Sequence, residues 1–280
     1  AIALPVGGLI APLCVAAMPD SLGWRGLLVL GGLPAFLVLL VRRVIPETPQ
    51  YLEAKGRVAE AWRALSWIAR SECHPPEDVP KVCHAELGGK SPERILFSPA
   101  YLRQTLTAWA LNFGSFFSYY GFILWMPALL SGYRGFSHRE VISFVFGMAM
   151  AGLSGRVFVI LIAHKIRPEA ILLGLGMASA TALSFFAFQT GMVAMKLSGF
   201  AAAFLLEGMF SVIIPFVAEI YPATVRATGV GWAGGVGRFG TALAPLAIGA
   251  VLPISVEGAI IMLAMGSVVA VLAIFFLSRS

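Results

Sequence analysis

Two stretches limit what this chain can fold into: residues 104 to 133 and 258 to 278 contain no Asp, Glu, Lys or Arg. A helical run of about 20 apolar residues crosses the hydrocarbon core of a bilayer, where a backbone must satisfy its own N–H and C=O groups. Other segments follow nearly the same pattern. Residues 1 to 18 carry no charge, and 24 to 44 are framed by Arg25 and the Arg42–Arg43 pair. Residues 141 to 163 hold only Arg156, 170 to 218 only Lys196 and Glu207, and 227 to 252 only Arg238. The run from 170 to 218 is too long for one crossing and breaks at Gln189-Thr190-Gly191. The reading is an all-α integral membrane bundle of eight transmembrane helices. Residues 1–44 form two of them, 45–103 a polar linker and 104–280 the other six.

Composition agrees. The chain is 59% apolar and 12% charged, with a mean hydropathy of +0.86, whereas a soluble domain carries roughly 25% charged residues. Its net charge is +6, but ten of the twenty Lys and Arg lie between Arg42 and Arg103 beside eight of the fourteen acids. A nucleic-acid partner would call for a basic stripe without that matching, so none is expected. Cys14, Cys73 and Cys83 form no C-x-x-C. The Cys73-His74 and Cys83-His84 pairs fit no zinc spacing, because adjacent Cys and His cannot easily aim at one ion. No metal, no cofactor and no catalytic set at nucleophile spacing is expected.

Lys and Arg concentrate on the cytoplasmic side of membrane proteins. The basic 45–103 linker is therefore placed inside, and alternation puts His164-Lys165-Ile166-Arg167, the Tyr221 to Arg226 turn and the Arg279 tail there as well. The C-terminus is thus expected to be cytoplasmic. Within the linker, Val58, Ala61, Trp62, Leu65, Ile68 and Ala69 recur at the spacing of one helical face. That pattern predicts an amphipathic helix over Glu53 to Arg70, which braces the bundle from the membrane surface or takes a regulatory partner. The apolar start, Ala1-Ile2-Ala3-Leu4-Pro5, reads as a chain that enters part-way through a helix.

Charges within a membrane span cost at least about 2.5 kcal/mol on insertion scales, so those retained point to function. Glu207 lies twelve residues before Glu219, and Arg238 twelve after Arg226. Twelve residues span about 18 Å, which puts both charges near the midplane, where transporter sites are found. Two readings stay open. Glu207 and Arg238 form a structural ion pair, or Arg238 meets a substrate carboxylate in a bidentate contact while Glu207 lines the site or exchanges a proton. Trp109, Asn112, Phe116, Tyr119 and Tyr120 recur at three and four spacing and would place an amide and several rings on one face. A lipid-facing aromatic stripe is the alternative, which the cost of exposing Asn112 to lipid disfavours.

Gly229-x-Gly231-x-x-Gly234 satisfies a dinucleotide-binding pattern but opens an apolar span with no strand before it, so it is rejected. Gly231-x-x-x-Gly235 reads instead as a close helix contact.

Two elements carry a family resemblance: Pro46-Glu47-Thr48-Pro49-Gln50-Tyr51-Leu52 after the second span, and Ala218-Glu219-Ile220-Tyr221-Pro222-Ala223-Thr224-Val225-Arg226 between two others. They resemble the P-E-S-x-x-x-L and E-x-Y-P-x-x-x-R motifs of the major facilitator superfamily, which would make the eight spans helices five to twelve of a twelve-helix fold. Arg226-Ala227-Thr228-Gly229-Val230-Gly231-Trp232, then Gly235 to Gly240 and Pro245, is most similar to its aromatic-acid:proton and metabolite:proton symporters.

That resemblance implies a secondary transporter, not an enzyme, in a bacterial inner membrane. It would move a small organic solute, an aromatic or other organic carboxylate, together with protons. The substrate site would comprise Arg238, Glu207, Asn112, Trp109 and Tyr120. The inner gate would comprise Arg156, Glu219, Arg226 and Glu47, with His164 standing where the family's loop motif has Asp. The alternatives are a sugar or organic-cation porter of the same superfamily, or a non-transporting membrane fragment.

Overall fold

The computed structural model describes Gly23–Phe36, residues 57 to 69, and 92 to 278 apart from Arg134, with isolated positions between 7 and 52. It divides into two compact units, Cys14–Glu86 and the rest.

In the smaller unit, α1 (Gly23–Gly32) runs into a 3-10 turn over Leu33–Phe36. The remainder of the two expected N-terminal spans lies mostly outside the described residues. The linker helix is present as α2 (Val58–Ala69), and Arg57 pairs with Glu60 at 2.6 Å in its first turn. Its expected apolar face divides. Ala61 is buried and Trp62 half-buried, whereas Val58, Leu65 and Ile68 are exposed; Ala64, outside the expected face, is buried with Ala61 and Leu52.

The larger unit begins with the short α3 (Pro92–Leu96). Six long helices follow: α4 (Leu102–Tyr133), α5 (His138–Ile162), α6 (Pro168–Ala187), α7 (Met192–Ile220), α8 (Ala223–Val251) and α9 (Val256–Ser278). All six are long and apolar enough to cross a membrane. Their bounds follow the charge-free runs, including the break after Ala187. Local chemistry sets the ends. Ser137 and Glu140 form a reciprocal capping box before α5, and Pro168 occupies the first turn of α6, where its missing N–H costs nothing. Among the described residues there is no strand.

The packing follows a two-fold rule. α4 lies against α8 and α9, α7 lies against α5 and α6, and α6 meets α9. Exchanging α4 with α7, α5 with α8 and α6 with α9 reproduces these five main contacts, so the six helices form two matched triplets. Polar links are sparse. Ser118 donates to the Leu263 carbonyl at 2.6 Å between α4 and α9, and Ser179 to Ser267 at 3.2 Å between α6 and α9. The Arg103 guanidinium donates to the Phe276 carbonyl, which ties the start of α4 to the end of α9.

The close contact expected at Gly231 and Gly235 is not found in this bundle. A Cβ added to either would meet nothing within 4 Å. The tight approach on α8 lies further along, at Gly240, whose added Cβ would stand 2.6 Å from the Phe113 carbonyl of α4. The Gly231–Gly235 spacing therefore does not mark the packing face of α8, which carries Gly240 instead.

Candidate functional site

α5 and α7 pack through Gly152 and Gly155. A Cβ at Gly152 would come within 2.6 Å of Glu207 Cγ, and one at Gly155 would collide with the Phe204 carbonyl. That proximity determines the fate of Glu207. Its Oε2 accepts from Arg156 Nε at 2.5 Å, and its Oε1 accepts from the Tyr119 hydroxyl at 2.5 Å. All three side chains are buried. An isolated carboxylate would be costly at this depth, and here each oxygen has a charged or hydroxyl donor.

Tyr119 connects this pair to a layer of rings. It stacks on Phe210 with centroids 4.7 Å apart and stands edge-on to Tyr120 at 4.9 Å. Phe116 closes the group, 4.8 Å from Phe210 and 5.7 Å from Tyr120. The layer reaches α8 at Gly237, where an added Cβ would come 3.1 Å from the Phe116 ring. Arg238 is the next residue. It lies one residue past the midpoint of α8 and is exposed. Among the described residues no carboxylate pairs with it.

Glu207 and Arg238 therefore lie at the middle of their helices, as the residue count predicts, and of the two open readings their mutual ion pair is not the one found. Glu207 faces α5 instead. The structure also does not bring Arg156 to Glu219. Arg156 reaches inward to Glu207, about 18 Å along α7 from Glu219, and Glu219 is exposed. Tyr120 belongs to the ring layer. Trp109, eleven residues or about 16 Å away along α4, does not. It stacks on Trp232 at 5.8 Å with Phe97 edge-on, forming a second aromatic group near the linker end of the bundle. Asn112 is buried and donates to the Ala108 carbonyl of its own helix at 2.8 Å. Arg226 Nε donates to the Tyr221 carbonyl at 3.3 Å and so helps satisfy the end of α7. Glu47, in the smaller unit, is exposed.

The profile of the Major Facilitator Superfamily matches residues 1–206. The chain belongs to this superfamily. It is a multi-pass membrane protein, and the relatives described next are transporters rather than enzymes. The niacin transporter NiaP of Acinetobacter baylyi is 31% identical over 87% of this chain and 55% of its own length. The benzoate transport protein of the same organism is 24% identical over 87% of this chain and 52% of its own. Its 4-hydroxybenzoate transporter PcaK is 30% identical over 89% and 54%. The chain thus spans about half the length of these relatives.

Within this superfamily member, sequence reasoning missed the pairing of Arg156 with Glu207 and the position of Phe210. One signal was present: Gly152 and Gly155 stand on one face of α5 beside Arg156, and Phe210 follows Glu207 by one turn. Nothing in the order of helices indicates that α5 rather than α8 supplies the partner.

Proposed function

We propose that the protein is a secondary transporter for a small aromatic or other organic carboxylate, working by alternating access with protons as the coupling ion. Arg238 receives the carboxylate, and the rings of Phe116, Tyr120 and Phe210 provide an apolar, aromatic surface beside it. One observation carries this reading. Arg238 is exposed at mid-helix, one residue after the Gly237 that meets the Phe116 ring, while Arg156 is already matched by Glu207. A guanidinium left at that depth calls for an anion, and its planar fork suits a carboxylate. The names of the relatives support the same chemistry, since niacin, benzoate and 4-hydroxybenzoate each carry one carboxyl group on one ring.

The linker and the C-terminus face the cytoplasm of a bacterial inner membrane in this reading. Glu219, Arg226 and Glu47 serve the inner gate, and Trp109 and Asn112 lie on the route between gate and site.

Uptake of labelled benzoate into vesicles containing the whole protein, with and without an imposed proton gradient, tests the function. Uptake should need the protein and rise with the gradient. Arg238→Lys keeps the charge but loses the fork, so affinity should fall about tenfold or more, ~1.4 kcal/mol, with folding intact. Unchanged affinity in Arg238→Lys would remove Arg238 from the site.

A further inference from the structure

Given the reading in which Arg238 takes a carboxylate, we infer that Glu207 sets the charge of the substrate: by cancelling Arg156 it leaves the mid-bundle layer, among the described residues, with one uncompensated cation, which selects aromatic monocarboxylates over dicarboxylates. Among the described residues, the charges more than five residues from a helix end in α4 to α9 are Arg156, Glu207 and Arg238. The first two neutralise each other at 2.5 Å, both buried. The third is exposed and directly follows Gly237, which packs against the Phe116 ring.

The pair is not remote from the layer that would hold the substrate. Tyr119 donates to Glu207 and stacks on Phe210, and Phe210 lies 6.1 Å from Tyr120 and 4.8 Å from Phe116. In a water-poor interior, charges act over longer distances than in solvent, so an uncancelled charge at Glu207 or Arg156 is felt by an anion in this layer. A monoanion balances the layer. A dianion leaves a net negative charge there and is disfavoured. Tyr119 fixes the second oxygen of Glu207, and so positions the carboxylate that performs the cancellation.

The test compares binding of benzoate and phthalate, one and two carboxylates on the same ring, to the whole protein in lipid nanodiscs near neutral pH. Wild type should favour benzoate by about tenfold or more, ~1.4 kcal/mol. Glu207→Gln keeps the shape and the Tyr119 contact but frees the charge of Arg156, so the preference should fall by about the same factor or reverse. Arg156→Gln takes one cation out of the layer and should weaken benzoate binding about tenfold or more. In the double variant, Arg156→Gln with Glu207→Gln, the layer regains its charge and the wild-type preference should return, a recovery that a general loss of packing would not give.

Thermal unfolding identifies any variant that fails to fold, and the wild-type comparison needs no variant at all. Wild type binding phthalate as tightly as benzoate, or a folded Glu207→Gln with unchanged preference, would overturn the inference. Binding of neither ligand by wild type would instead overturn the carboxylate reading beneath it.

Discussion

Glu207 of α7 accepts its charged hydrogen bond from Arg156 of α5, not from Arg238 of the following helix. The choice of partner follows from backbone approach. α7 lies against α5 with glycine at two of the contact positions, which leaves room for a carboxylate and a guanidinium within the interface. α8 touches α7 much less closely, since α8 is committed to α4. One cation of the middle layer is thereby held within the bundle, and the other is left facing outward at the level of the rings.

Gly155 should be the least replaceable residue of this interface. Its added Cβ would collide with backbone, the Phe204 carbonyl, which cannot move aside as a flexible side chain can. Gly155→Ala should cost about 1–3 kcal/mol by forcing α5 from α7. Thermal unfolding of the purified protein measures it, and a melting temperature equal to wild type would contradict the close approach.

A contrast within α8 tests the corrected glycine assignment. Gly240→Ala meets the Phe113 carbonyl and should destabilise by a similar 1–3 kcal/mol or so. Gly231→Ala and Gly235→Ala project into open space in this bundle and should leave its stability within about 0.5 kcal/mol. The reverse order of effects would restore the Gly231–Gly235 contact.

The six spans of the larger unit were legible because charge is so costly in a bilayer that its absence marks each helix almost to the residue. The level of Glu207 and Arg238 was legible for a related reason, since helical rise converts residue number into depth. Azimuth was not. Which way Glu207 points depends on which helices are neighbours, and the two-fold arrangement pairs α7 with α5 and α6, not with the helices adjacent to it in the sequence on both sides. Trp109 and Tyr120 illustrate the same limit. Periodicity placed them on one face, but a 32-residue helix carries that face through two separate aromatic groups.

Tyr221 anchors the turn between α7 and α8. It is buried, its hydroxyl donates to Thr105 Oγ1 at 3.3 Å, and Thr105 donates to the Leu96 carbonyl at 3.1 Å. Tyr221→Phe removes one hydrogen bond and should cost about 0.5–1.5 kcal/mol, while Tyr221→Ala also empties a buried site and should cost about 3–5 kcal/mol. Equal melting temperatures for the two variants would show that the ring is not buried.

Orientation can be read by thiol labelling. With the linker in the cytoplasm, Cys73 and Cys83 should resist a membrane-impermeant reagent in intact cells and react after permeabilisation. A single-cysteine version at each position makes the signal unambiguous. Rapid labelling of either in intact cells would invert the topology.

The final prediction concerns the gate. Motif resemblance groups Arg156 with Glu219, yet the structure binds Arg156 to Glu207 and leaves Glu219 exposed about three turns away along α7. Residues that share no partner and lie well apart contribute independently to stability, usually within about 0.5 kcal/mol. Arg156→Gln should therefore be strongly destabilising, because it leaves the Glu207 carboxylate buried with one donor fewer, whereas Glu219→Gln should change stability little. Combined in one chain, the two effects should add. A double-mutant cycle on thermal stability measures the coupling. A value above about 1 kcal/mol would show that Arg156 and Glu219 meet in a populated state and belong to one latch, and additivity would leave Glu219 to act through partners other than Arg156.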